Sequence, residues 1–264
     1  MPIPLQQGVL YGPVVSRRYG RSLGVNPLSS ARKLCSLDCA YCQYGATAQK
    51  ESSACATGAD SELPRTAELV EAFEAGFSEL AAKGEIPDRI TIAGNGEPTM
   101  HPGFHIWMYA LADARDRYFG KQVPIGLLSN GLHLQRPTVR EAIVDCVDEA
   151  AFKLEVGTIE TFEAMYHTSG GAFLRTLDGL RQLDHFVIQA LFVRGPHVDN
   201  AREEEVTAWL ERLDELKPRI DNVEIFTISR EPDPAAQLRP VEADALQWIA
   251  TRARAAGHTV DLVA

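Results

Sequence analysis

The sequence predicts an α/β protein whose sheet forms an incomplete (β/α)6-type parallel barrel, a partial TIM barrel. Three observations lead there. Short apolar runs recur along the chain without polar alternation, as strands buried on both faces require. Amphipathic stretches of roughly 10 to 18 residues separate them, the length of a covering helix. No repeat, linker or low-complexity segment divides the chain, so one domain over 1–264 is expected.

A strand around Ser22–Asn26 opens the series. The stretch 43–63 is rich in Ala, Ser, Thr and Gly, has no periodicity and reads as a long loop containing Cys55. Arg65–Lys83 then predicts a helix and Arg89–Ala93 a strand, followed by a helix near Phe104–Tyr118 and a strand over Val123–Leu128. The next pair is Thr138–Cys146 and Ala150–Val156. Two further helix–strand pairs end in strands at Phe186–Val193 and Val223–Ile228, and a helix over Glu242–Ala256 precedes a last strand at Thr259–Val263. This gives about six or seven βα units, slightly few for a closed eight-unit barrel. Parallel barrels carry their chemistry on the loops that follow the strand C-termini. Cys35–Cys42, Gly94–Pro98, Ser129–Gly131, Lys153–Gly157 and Ser229-Arg230 all fall at such positions, so their common edge is the expected active site.

Composition narrows the function classes. With 45% hydrophobic and 23% charged residues the chain is ordinary globular protein, which excludes disorder and a disulfide-dense miniature fold. No run approaches the about 18 apolar residues of a membrane helix. SRRYG is not followed by an apolar run of signal-peptide length, so a cytoplasmic location is expected. The net charge is -10, yet residues 1–37 carry Arg17, Arg18, Arg21, Arg32 and Lys33 and no acid. Overall acidity argues against broad nucleic-acid binding, while the basic stretch is suited to one anionic group of a cofactor or substrate.

Three of the five cysteines, Cys35, Cys39 and Cys42, lie in a C-x3-C-x2-C spacing, poor for a disulfide framework and good for a metal centre. Structural zinc would want a fourth protein ligand, and the nearest histidines, His101 and His105, are far along the chain. Three thiolates suit a four-iron cluster with one iron left open. Structural zinc and a trio of packed thiols are the alternatives. Cys146, at the end of an apolar helix face, reads as a packed thiol, and Cys55 carries no assignment.

The cluster spacing, with Tyr41 just before the third cysteine, resembles the signature of the radical S-adenosylmethionine (radical SAM) superfamily. GNGEP (Gly94–Pro98) is similar to that family's glycine-rich segment beside the methionine amino group of the cofactor. More narrowly, YGPVVSRRYGRSLGV, CSLDCAYCQYG and AGNGEPTMHP resemble the branch containing the tRNA wyosine-base synthases. Those enzymes carry further cysteines upstream for a second cluster, and residues 1–34 here hold none. The resemblance implies a [4Fe-4S] cluster on Cys35, Cys39 and Cys42. It also implies S-adenosyl-L-methionine cleaved to a 5′-deoxyadenosyl radical that abstracts hydrogen from substrate, and an electron donor such as flavodoxin or ferredoxin.

Tyr41, Gly94, Asn95, Gly96, Glu97, Ser129, Asn130 and Lys153 are the expected cofactor-site residues. Most of them have a plainer reading. Gly94 and Gly96 permit close backbone approach to a ligand or form a tight turn. Glu97 meets the cofactor ammonium or caps the next helix. Ser129 and Asn130 touch the ribose or make a turn. Lys153 pairs with the cofactor carboxylate, as a strand-four lysine does in some relatives, or with Glu155. Arg230 holds an anionic group or is a solvated rim residue. His101 and His105 are interrupted by Pro102-Gly103 and are not expected as ligands. The acidity of the chain favours a small-molecule substrate, with RNA as the second choice. A non-catalytic iron–sulfur or zinc module is the alternative from a different class.

Overall fold

The computed structural model of the protein describes residues 3–16, 19–48, 63–230 and 236–263. An N-terminal hairpin of β1 (Leu10–Ser16) and β2 (Gly20–Val25) starts the chain. The cysteine loop follows, then α1 (Thr66–Ala82), β3 (Arg89–Ile92), α2 (Phe104–Tyr118), β4 (Ile125–Ser129), α3 (Pro137–Cys146) and β5 (Glu149–Lys153). After β5 come α4 (Ile159–Tyr166), α5 (Gly170–Leu180), β6 (Phe186–Arg194), α6 (Glu203–Leu216) and β7 (Ile220–Thr227). The two-residue β8 (Arg239–Pro240), α7 (Ala243–Ala255) and β9 (Val260–Leu262) complete it.

The sheet order is β1-β2-β3-β4-β5-β6-β7-β9, parallel from β2 to β9, with β1 antiparallel at one edge and β8 paired antiparallel to β6. Among the described residues no pairing joins β9 to β1, so this is an open, mostly parallel sheet and not a closed barrel. Every residue of β3 is buried, as are all of β6 except Arg194, which is why these strands lack alternation in the sequence. The helices face the sheet with apolar stripes. Leu69, Phe73 and Phe77 of α1 lie four residues apart on one face, and Phe104, Trp107, Met108 and Leu111, at three- and four-residue spacing, form the corresponding face of α2. Burying one such side chain contributes about 1.5–3 kcal/mol.

Three differences from the sequence expectation have local causes. β1 is an edge strand, paired among the described residues only to β2, none of its residues is buried, and Gly12-Pro13 breaks its register, so it lacks an apolar signature. The helical stretch before β6 is two helices: Thr158 caps α4 by accepting from the Thr161 N–H, and His167, at φ 48°, ends it. The strand expected at Val123 begins at Ile125, after Pro124, which has no N–H for the ladder. Arg17, Arg18 and Cys55 lie outside the described residues. No described helix is long and apolar enough to cross a membrane.

Candidate active site

The loops after β2, β3, β4 and β5 meet over one end of the sheet. The cysteine loop is fixed to the β3 end by one isolated bridge: Leu34 pairs in parallel with Gly96, its N–H donates to the Asn95 carbonyl at 2.9 Å, and its own carbonyl accepts from Glu97 N–H at 3.0 Å. Gly96, at φ 150°, must be glycine, because a Cβ there would stand 1.5 Å from the Leu34 carbonyl oxygen. At Gly94, φ 148°, a Cβ would stand 2.2 Å from Asn26 Oδ1. The close approach these glycines allow is to the protein's own cysteine loop and to Asn26. The Asn95 amide is turned to the N-terminal segment, accepting from Gln6 N–H at 2.8 Å and donating to the Gln6 carbonyl at 2.9 Å.

Glu97 is 2% exposed and joins three loops. Its Oε1 accepts from the Thr99 N–H at 3.1 Å, the Thr99 hydroxyl at 2.6 Å and the Ser129 hydroxyl at 2.8 Å, and its Oε2 from the Asn130 N–H at 2.7 Å. Burial raises its pKa, and the four hydrogen bonds oppose that rise. It caps the 3-10 turn Pro98–Met100, so its capping role is realised. Asn130 continues the chain of contacts, its Nδ2 lying 3.0 Å from Ser36 Oγ and 3.9 Å from the Cys35 sulfur.

Within the cysteine loop, Cys42 N–H donates to the Cys39 carbonyl and Gly45 N–H to the Cys42 carbonyl, each at 2.9 Å, forming two successive turns. Lys33 Nζ donates to the Gly45 carbonyl at 2.7 Å, and Thr47 binds Asp38 Oδ1 and the Leu37 carbonyl. The loop then rests on the end of α4, where Ala40 N–H donates to the Met165 carbonyl at 2.8 Å and Asp38 N–H to that of Tyr166 at 3.2 Å. Helix α4 is itself held at its N-terminus by Glu205. This buried carboxylate accepts from the N–H groups of Gly157 and Thr158 and the hydroxyls of Thr158 and Thr161. Arg230 Nη1 donates to Gln43 Oε1 at 2.8 Å, over the loop's exit.

Lys153 and Glu155 meet the loop from the β5 end. Lys153 Nζ donates to the Tyr41 hydroxyl at 2.9 Å and lies 3.7 Å from Glu155 Oε1. Desolvation pulls the Lys153 pKa down, but Glu155 and the three thiols outweigh it and the ammonium is favoured. Burial pushes Cys35 up to about 11, with Glu97 adding to the rise, and drives Cys39 up as well, where Lys153 opposes it. The three thiols are electrostatically coupled to one another.

Among the described residues no three His, Cys, Asp or Glu side chains are preassembled around a single metal ion. The fit to an iron–sulfur cluster rests on donor chemistry. Three sulfurs come from one loop, an amide donor reaches one of them and a cation neighbours another, which offset the negative charge that thiolates bring. A cleft of about 300 Å³ opens beside Cys39 and Cys42, with Asp38, His167, His197 and Leu238 in its wall. Cys146 is a buried thiol at the end of α3, as expected. His101 Nε2 meets the Pro64 carbonyl and its Nδ1 accepts from Gly103 N–H, so both nitrogens serve the backbone.

Glu155, Tyr166 and Glu205 are the site residues that sequence reasoning missed or weighed only as a simple ion pair. The one local signal was the acidic run Glu203–Glu205 at a helix start, and it gave no hint that Glu205 crosses to α4.

No family model matches the chain. A UPF0026 protein of Helicobacter pylori (strain ATCC 700392 / 26695) is 26% identical over 227 residues, 84% of this chain and 67% of that protein. Among solved structures, a radical SAM methyltransferase from Sphaerobacter thermophilus aligns with TM-score 0.59 and 14% identity, over 92% of this chain and 65% of that one. Streptococcus suis SuiB bound to S-adenosylmethionine aligns with TM-score 0.61 and 12% identity, over 91% of this chain and 50% of SuiB. The chain thus spans two thirds or less of these solved chains, and it shares their fold.

Proposed function

We propose that the protein is a radical SAM enzyme built on an incomplete (β/α)6-type barrel. In this reading Cys35, Cys39 and Cys42 hold a [4Fe-4S] cluster, and S-adenosyl-L-methionine binds at the open iron. The observation that carries it is the meeting of the two sequence motifs: the C-x3-C-x2-C loop is locked by the Leu34–Gly96 bridge to the GNGEP turn, at the strand ends. When bound, the cluster and cofactor supply an electron and a 5′-deoxyadenosyl radical able to take hydrogen from a substrate.

The chain's own residues do the rest. Gly96 and Glu97 set the height of the cysteine loop over β3 and β4, and Asn130 orients Cys35. Lys153 places a positive charge beside Cys39 and is the residue best placed to meet a cofactor carboxylate. The cleft beside Cys39 and Cys42 has the volume of a small-molecule site, and with a net charge of -10 this supports a small substrate over RNA. An electron donor such as flavodoxin or ferredoxin completes the scheme. The narrower likeness to wyosine-base synthases rests on the motifs around the cluster, and residues 1–34 hold none of the upstream cysteines of their second cluster.

Anaerobic reconstitution tests the reading. About four irons per chain, as cysteine-held clusters of this type require, and 5′-deoxyadenosine formed with dithionite and S-adenosylmethionine are expected, both lost in Cys39→Ala. Zinc in place of iron, with no cleavage, would overturn it. Methylthioadenosine as the product would redirect it to aminocarboxypropyl transfer.

A further inference from the structure

Glu155, two residues beyond β5, is completely buried. Its Oε2 accepts hydrogen bonds from the hydroxyls of Tyr41 and Tyr166, each at 2.5 Å. Among the described residues its Oε1 has no hydrogen-bond partner, and Lys153 stands 3.7 Å away while donating to Tyr41. The Lys153 ammonium also lies 4.9 Å from the centre of the Tyr41 ring. Burying a carboxylate with one bare oxygen is expensive, and an apolar side chain of similar size would fill the space at less cost.

What the carboxylate touches explains its place. Tyr41 stands between Cys39 and Cys42 in the chain, and Tyr166 is the last residue of α4. The carbonyls of Met165 and Tyr166 take the Ala40 and Asp38 N–H groups. The two phenols therefore join the middle of the cysteine loop to the helix end on which it rests, and Glu155 is the point where they converge. The negative charge is also close enough to act on Cys39.

On the cluster reading given above, we propose that Glu155 is a positioning residue for the iron–sulfur centre. Through Tyr41 it holds Cys39 and Cys42 at the spacing the cluster requires, and its charge lowers the potential at which the cluster is reduced. Net charge and hydrogen bonding near the sulfurs are the protein's means of setting that potential.

The test compares wild type, Glu155→Gln and Tyr166→Phe. Each is reconstituted anaerobically and examined for iron per chain, rate of bleaching by a chelator, and midpoint potential by spectroscopically monitored titration. Glu155→Gln is expected to bleach several-fold faster and to show a higher midpoint, since a negative charge is gone and Lys153 remains. Tyr166→Phe keeps the charge, so it should bleach faster with its midpoint unmoved. In the metal-free protein, hydrogen exchange at the Asp38 and Ala40 amides should quicken in both variants, a readout independent of iron. A role confined to folding would lower melting temperatures and leave the Glu155→Gln midpoint where it was, which overturns the proposal. So would wild-type bleaching and exchange in Tyr166→Phe, the variant that decides the matter if Glu155→Gln does not fold. A wild-type protein that takes up no iron removes the cluster reading and this inference together. A wild type that loads normally beside unaltered variants removes this inference alone.

Discussion

On the β3–β4 flank of the cysteine loop, Glu97 takes four hydrogen bonds from backbone and hydroxyl donors. On the β5 flank, Glu155 takes two from phenols and leaves one oxygen bare. Both carboxylates are buried, and among the described residues only Glu155 has a cation within ion-pair distance. Glu97 works as a joint: its partners are the backbone of two loops, so its loss is felt first as disassembly. Glu155 touches the cysteine loop only through a side chain, so its loss is felt first at the sulfurs. The residue that resembles a cofactor contact in the sequence is thus the more deeply committed to the protein itself.

The largest expected effect follows from that contrast. Glu97→Leu strands the Thr99 N–H, the Asn130 N–H and two hydroxyls in a buried site, where each unpaired donor costs about 1–3 kcal/mol. We expect a loss of about 4 kcal/mol or more in urea unfolding of the metal-free protein, given that such costs are not fully additive. Glu97→Gln, which keeps one acceptor oxygen, should lose roughly half of that. A Glu97→Leu protein as stable as Glu155→Gln would erase the distinction between joint and charge.

The parts of the site that were legible in the sequence are those whose physics is local. Cysteines spaced within one loop declare a metal centre, and Gly94 and Gly96 declare a tight backbone approach, because both signals lie within a few residues. What approaches is not legible there: Gly96 faces Leu34, and nothing in GNGEP says what passes over it. Glu155 with Tyr41, and Glu205 with Thr158, are pairs 114 and 47 residues apart that only the sheet order brings together. The apolar strands β3 and β6 announced the parallel sheet, whereas β1, a partly exposed edge strand interrupted at Pro13, had no pattern to announce. The division of α4 from α5 was marked only by Thr158 and by the Ser169-Gly170-Gly171 run, turn chemistry that a helical period conceals.

A second effect separates the flanks by pH. His133, in the loop after β4, is 6% exposed, its Nε2 has no partner among the described residues, and burial pushes its pKa down to about 4, with Arg136 adding to the fall. The ordinary imidazole titrates at 6.5, so on acidification the unfolded chain binds a proton that the folded chain refuses. The stability held by neutral His133 is whole above about pH 6.5 and declines as the pH falls toward 4, by up to roughly 3 kcal/mol. His101 is shifted in the same direction by burial and adds to the decline. On the other flank His167 is exposed and lies 3.3 Å from Asp38. His133→Leu should therefore flatten the fall in unfolding midpoint between pH 6.5 and 4, and His167→Gln should leave it in place. A fall that survives His133→Leu unchanged would move its origin to other groups.

The smallest of these effects concerns the basic N-terminal stretch, which the charge distribution assigns to an anionic ligand. Lys33, one of its five cations, is 9% exposed and donates to the Gly45 carbonyl at 2.7 Å. That bond closes the cysteine loop from Leu34 to Gly45, so the charge serves a backbone dipole, in contrast to Lys153, which faces a carboxylate. Lys33→Met keeps most of the buried stem and removes only the ammonium. A hydrogen bond to a charged group contributes about 1.5–3 kcal/mol, and the gain from no longer burying the charge offsets part of it, so a loss of about 1 kcal/mol is expected. The metal-free protein in urea gives that number, and the rate at which a chelator strips the reconstituted cluster should rise with it. Unchanged stability with weaker binding of S-adenosylmethionine would mean that Lys33 turns to an anion after all. The basic stretch would then belong to the ligand rather than to the loop.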